Sequence, residues 1–173
     1  MGTTLRCTKM LLTALKTAPR EQVPPPANRL GEWTANLVRV SRLQLVVAVS
    51  EPTRFAIVID AAPYAGIAQR LSDRLVDALL LIGVPESLAV DEARSLRDAV
   101  IARTNSRSVI GAVNDYALCA EGMIRSERAH SALELTQVFS DWIVLRPEPM
   151  HPGERVRHAF GLPLRAPPRA AGE

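Results

Sequence analysis

The stretch Leu45-Val46-Val47-Ala48-Val49-Ser50-Glu51-Pro52-Thr53-Arg54-Phe55-Ala56-Ile57-Val58-Ile59 decides how the chain folds. Two apolar, largely β-branched runs flank a Ser-Glu-Pro-Thr-Arg segment whose proline and small polar residues favour a turn. Neither run alternates polar with apolar residues, so these strands lie at the centre of a sheet or are covered on both faces. Thr34 to Val40 supplies a further strand ahead of Leu43 to Val49 and Phe55 to Ile59. An antiparallel meander is the simplest topology for three strands so close in sequence.

Helices must supply the cover, and the residues downstream have the spacing for them. Ile67, Leu71, Leu75, Ala78, Leu79 and Ile82 form one apolar stripe, opposed by Gln69, Arg70, Asp73 and Arg74, with Gly83 placed to stop the helix. Pro85 suits the first turn of a second helix that buries Leu88, Ala93, Leu96 and Val100, with Glu86 favourable at its positive end. A third helix runs from near Ser108 or Asn114 through Ile124. A fourth begins at the capping box Ser131-Ala132-Leu133-Glu134 and buries Leu135, Val138, Phe139 and Trp142.

Upstream of the meander, Leu5-Arg6-Cys7-Thr8 reads as a short strand entering a turn or two of helix, with Thr8 as N-cap and Leu11, Leu12 and Leu15 at helical spacing. Residues 19–28, with three consecutive prolines at Pro24, Pro25 and Pro26, read as an extended surface loop. The expected fold is therefore α+β: an antiparallel sheet of three to five strands covered by about four helices, mainly on one face. Residues 1–145 form a single domain, and residues 146–173 form a Pro- and Arg-rich, partly ordered tail that packs through Phe160 and Leu162 at most.

Composition narrows the chemistry. The 173 residues carry 21 Lys and Arg against 18 Asp and Glu, a net charge of +3, and lysine occurs only at Lys9 and Lys16. A GC-rich genome explains such an arginine bias, and bidentate phosphate or carboxylate recognition also favours it. Nucleic acid is thus permitted as a partner without being demanded. Cys7 and Cys119 stand far apart with no ligand spacing, which fits a reducing cytoplasm, and His130, His151 and His158 lack neighbouring carboxylates or cysteines in a metal pattern. No metal and no cofactor are expected. Lys9 and Lys16 interrupt the apolar N-terminal stretch, which does not read as a signal peptide, and no apolar run approaches the ~20 residues of a membrane span.

Three segments resemble a bacterial family of small domains of unknown function. Its pattern runs Leu-Arg-Cys-Thr-Lys-Lys-Leu-Leu, then Leu-Gly-x-Trp-Tyr-x-Asn, then Arg/Lys-Thr-x-Asn-Arg-Ser-Val-Leu-Gly-Ser-Met-Asn-Asp. Here they stand as Leu5 to Leu12, Leu30 to Asn36, and Arg103 to Asp115. The chain departs from the pattern with Thr34 for Tyr, Ser106 for Asn, and Ala112 and Val113 for Ser and Met. A family site that needs the tyrosine hydroxyl or that asparagine would be altered in this chain. The resemblance brings no activity with it.

The last of these segments is the first place to look for a site. Arg103, Thr104, Arg107, Ser108, Gly111, Asn114 and Asp115 are the candidate ligand-binding residues, because a helix opening near Ser108 would aim free backbone N–H groups at an anion. The spacing matches no known nucleotide loop. The competing reading is structural: Arg107 pairs with Asp115 or Asp98, Asn105 or Asn114 caps a helix, and Gly111 allows close packing against the sheet. Asn114 and Asp115 also read as a hydrogen-bonding pair or general base, although no partnering acid or histidine accompanies them. Secondary candidates are Cys7, beside Arg6 and Lys9, Trp33 and Asn36; a buried core role competes for the cysteine and the tryptophan.

Three functions follow. The first is a non-enzymatic binding protein for nucleic acid or a protein partner, using Arg103 and Arg107 with the scattered Arg39, Arg42 and Arg54. The second is an enzyme or sensor whose Arg103 to Asp115 segment converges on a small anionic ligand. The third is a mobile-element or defence-related protein whose tail docks on another protein.

Overall fold

The computed structural model describes residues 2–142, 144 and 148–165. The meander is present as β2 (Trp33–Val40), β3 (Leu43–Ser50) and β4 (Ala56–Asp60), each antiparallel to the next, with Val47 opposite Asn36 on one side and Val58 on the other. The sheet around it is mixed rather than antiparallel. β1 (Thr4–Cys7) pairs in parallel with β2 and also with β5 (Val100–Arg103), giving five strands in the order β4-β3-β2-β1-β5. The reason lies in the connections: a helix and the proline-rich loop separate β1 from β2, and crossovers of that length return a chain in parallel. Val100, expected on a helix face, is the first residue of β5.

Six helices occur among the described residues: α1 (Lys9–Leu15), α2 (Ile67–Leu81), α3 (Glu86–Arg97), α4 (Arg107–Arg125), α5 (Ala132–Ser140) and α6 (Pro152–Ala159). They cover both faces of the sheet, not mainly one. On one face Leu5, Trp33, Ala35, Leu37, Val46 and Ile57 pack with Leu11 of α1, Leu71 and Leu75 of α2, Ala93 of α3 and Val156 of α6. On the other, Val38, Val40, Val47 and Val58 pack with Val113 and Tyr116 of α4 and with Leu135 and Phe139 of α5. This double cover is the physical reason β3 and β4 show no alternation. Burying a leucine such as Leu75 contributes about 1.5–3 kcal/mol.

Caps and edges follow from local chemistry. Thr8 Oγ1 accepts from Leu11 N at 3.4 Å and Ser106 Oγ from Val109 N at 3.3 Å, starting α1 and α4. At α5, Ser131 Oγ accepts from Glu134 N at 3.2 Å, while the Glu134 carboxylate reaches one residue further back, to His130 N at 2.8 Å. Trp142, expected on the buried face of α5, lies beyond its end and is 38% exposed. The Thr136 hydroxyl accepts from Val58 N at 2.9 Å while donating to the Ala132 carbonyl of its own helix at 2.9 Å, masking the outer edge of β4, where Arg70 also holds the Asp60 carbonyl.

Two polar anchors hold the irregular segments. Glu92, buried in α3, accepts from Asn28 Nδ2 at 2.7 Å and from the backbone of Arg29 and Leu30 at 3.0 and 2.9 Å, fastening the end of the proline-rich loop. Gly31 follows with φ +64°, and a Cβ there would press on the Pro52 ring at 3.0 Å, so a side chain would strain the position. In α6 the buried Arg155 donates to the carbonyls of Thr53, Pro149 and Val144. Beyond Phe160 and Leu162, the packing of this segment therefore includes Val156 and Arg155.

Candidate anion-binding site

β1 and β5 are adjacent and parallel, and the helix that follows each leaves toward a different face: α1 joins the α2–α3 side, α4 the α5 side. Carboxyl ends of neighbouring parallel strands whose connections diverge form a crevice, the usual ligand position in α/β sheets. The register brings the three sequence segments together there, since Cys7 pairs with Ala35 in β2 and with Arg103 in β5. Thr8, Lys9, Asn36, Arg103 and Thr104 lie at or next to that level. Thr8 Oγ1 donates to Asn36 Oδ1 at 2.6 Å, joining the α1 cap to β2.

Arg6 is the brace beneath this junction. Its Nε and Nη2 hold the Glu32 carboxylate at 2.5 and 3.2 Å, and its Nη1 donates to the Arg103 carbonyl at 3.0 Å, so one side chain links β1, the residue leading into β2, and β5. Arg54, in the β3–β4 turn at φ +59°, donates to Ser108 Oγ at 2.9 Å and accepts on its carbonyl from the Tyr116 hydroxyl at 2.7 Å. Arg54 thereby ties α4 to the β3–β4 turn at two points, one in its first turn and one two turns further on.

The candidates from the sequence divide into two groups. Arg103, Thr104 and Arg107 cluster at the β5–α4 junction. Gly111, Asn114 and Asp115 lie on the exposed side of α4 with Arg107, opposite Val109, Val113 and Tyr116. At 1.5 Å per residue Asn114 sits about 10 Å along the helix from Arg107, so Asn114 and Asp115 do not join the junction. Ser108 is engaged by Arg54. The structural alternatives also need revision: the cap is Ser106 rather than Asn105 or Asn114, Asp98 pairs with Arg97, and a Cβ on Gly111 would meet nothing within 4 Å. Among the described residues Arg107 makes no ion pair with Asp115 or Asp98.

Of the secondary candidates, Asn36 belongs to the junction. Trp33 is completely buried and offers no ring face to a ligand. Cys7 is buried in the same core, and burial pushes its thiol up to about 12, which keeps it protonated and unreactive. Burial also raises Cys119, with the Asp115 carboxylate adding to the shift. Among the described residues no group of three or more His, Cys, Asp or Glu side chains converges.

Charge is where the junction stands out. Residues 1–20, 33–50 and 99–114 contain no Asp or Glu. These stretches are β1 with α1, β2 with β3, and β5 with the start of α4, so four adjacent strands of the sheet, α1 and the first two turns of α4 lack a carboxylate, and Asp115 and Glu121 come further along α4. Lys9, Arg39, Arg103 and Arg107 are exposed in this region and make no ion pair among the described residues. The acid-free spacing was the available sequence signal; net charge, averaged over the acidic α2–α3 segment, hides it. Beside the junction, Lys9, Met10, Thr13 and Ala14 of α1 and Arg39 of β2 line an open groove of about 510 Å³.

No helix among the described residues is long and apolar enough to cross a membrane. A protein-family model described as a domain of unknown function (DUF6933) matches residues 4–154. No curated protein matches the chain.

Proposed function

The chain belongs to the DUF6933 family, and we propose that it is a non-catalytic binding protein that holds the phosphates of a nucleic acid at the β1–β5 junction. The observation that carries this reading is the convergence of three carboxylate-free stretches around the carboxyl ends of β1 and β5, with Lys9, Arg39, Arg103 and Arg107 exposed and in no ion pair among the described residues. Unpaired cations bind phosphates by releasing condensed counterions, so no enclosed pocket is required. Thr8, Asn36 and Thr104 add short polar groups that position a backbone without reading bases.

A small anionic ligand is the second reading, favoured by the divergence of α1 and α4 from adjacent strands. The separation of Asp115 from Arg103 argues against acid–base chemistry on such a ligand. The deciding experiment is fluorescence anisotropy with labelled DNA and RNA across a salt series, comparing the native chain with the Arg103→Ala, Arg107→Ala double variant. Nucleic-acid binding predicts weaker affinity in the variant and a log–log salt slope shallower by about 2, since each lost phosphate contact removes about 0.9. No binding at low salt would discard the reading.

A further inference from the structure

We propose that the groove between α1 and Arg39 receives an unpaired base, so that the protein prefers single-stranded over duplex nucleic acid. The proposal rests on the nucleic-acid reading above and adds the form of the ligand. The groove, about 510 Å³, lies within the size range of ligand clefts, roughly 300–1,000 Å³, but it is widely open to solvent. That shape suits a segment of polymer laid across it. Its lining pairs two kinds of surface: Met10, 52% exposed, and Ala14 give an apolar floor, while Lys9 and Arg39 stand as cations.

Each component fits one part of a nucleotide. A methionine thioether makes favourable contacts with the edge or face of an aromatic ring. An arginine guanidinium stacks on a base or pairs with phosphate, and a lysine ammonium meets phosphate as a point charge. A duplex keeps its base faces stacked inside and presents only phosphates and groove edges, so it cannot use the Met10 and Ala14 floor. The groove adjoins the junction because Thr8, which caps α1 immediately before Lys9, is bonded to Asn36 in β2, the strand that carries Arg39. The acid-free strands that carry Arg103 and Arg39 are joined through β1, which lies between them and is itself without a carboxylate.

The test compares a labelled single-stranded oligonucleotide with the duplex of the same sequence, at one salt concentration, against the full chain and three variants. Met10→Ala removes the apolar floor at an exposed position; Arg39→Gln removes one cation; Ala14→Glu places a carboxylate in the groove. The expected result is single-strand affinity at least tenfold above duplex affinity in the native chain. Met10→Ala should lower only the single-strand affinity, by about three- to tenfold, and Ala14→Glu should lower it further. Equal single-strand and duplex affinity, or a Met10→Ala loss equal on both, overturns the groove proposal while leaving phosphate binding at the junction intact. Displacement of the oligonucleotide by poly-glutamate of matched charge, as effectively as by unlabelled oligonucleotide, overturns base recognition in favour of an acidic peptide. Absence of binding to either nucleic acid overturns both proposals.

Discussion

Arg6 and Glu32 form a nearly buried ion pair, Nε to Oε2 at 2.5 Å with each side chain 12% exposed, and the same guanidinium holds the Arg103 carbonyl. The pair acts as a hinge pin between β1 and β2 directly beneath the cations of the junction. Arg6→Ala strands the Glu32 carboxylate with little access to water, and we expect a loss of about 2–4 kcal/mol in urea unfolding. Adding Glu32→Ala to that variant should recover part of the loss, because no unpaired charge remains. A double variant as unstable as Arg6→Ala alone would mean that the carboxylate is not the source of the cost.

Glu92 performs a similar service for the proline-rich loop, with two backbone N–H groups and an amide directed at its carboxylate. Glu92→Ala leaves those donors buried without acceptors and should cost about 2 kcal/mol, whereas Glu92→Gln keeps one acceptor oxygen and should cost less. Hydrogen exchange at Arg29 and Leu30 gives the local readout: their amides should lose protection first.

Acid should release the α6 end of the chain before the sheet. Burial pushes the Glu154 carboxyl up, but the side-chain and backbone hydrogen bonds from Arg165 outweigh it and hold the carboxyl below its ordinary value near 4.5. A lowered folded value means that this stabilisation is complete above the ordinary value and disappears as the pH falls through the lowered one. Glu154→Gln should therefore be less stable than the native chain at neutral pH and lose less stability as the pH falls below the ordinary carboxyl value near 4.5. Parallel acid-unfolding curves for the two proteins would contradict this assignment.

The two thiols should behave differently from a nucleophilic cysteine. With Cys7 buried and its thiol pushed up to about 12, a disulfide reagent at pH near 8 should leave it unmodified in the native protein. Cys119, only partly buried, should react slowly, and both should react at once in denaturant. Rapid native-state modification of Cys7 would require the β1–α1 connection to open.

The parts of this fold that could be read in advance are those whose local chemistry matches their surroundings. The meander from Trp33 to Asp60 carries β-branched runs and a proline turn, and α2 has a long apolar stripe ended by Gly83, so pattern and structure agree. β5 was hidden because Val100 continues the helical spacing of Leu96, and only pairing with Thr4, far away in sequence, makes it a strand. The parallel β1 was hidden for the same reason, since direction depends on the connection rather than on the four residues themselves. α6 lacks an apolar stripe and is fixed by Arg155 and Arg157 reaching carbonyls, contacts no periodicity reveals. At the candidate site, Arg103, Thr104 and Arg107 are close in sequence and stay together at the β5–α4 junction. The outward turn of Asn114 and Asp115 depended on the phase of α4, which the uncertain start of that helix left open. Arg6 was invisible as a brace because its partners, Glu32 and Arg103, lie 26 and 97 residues away.

The hydroxyl of Thr136 on the Val58 backbone, with Arg70 on the Asp60 carbonyl, has a bearing on how copies of this chain can assemble. With Val58 and Asp60 engaged by side chains, strand addition is disfavoured on the β4 side, whereas on the β5 side the described residues place the single Arg20–Ala102 bridge. An assembly joined through a single self-complementary edge ends at two members, because the second copy has no other sticky side to offer. A hydroxyl on α5 and a guanidinium on α2 thus guard one margin of the sheet against a stranger's strand.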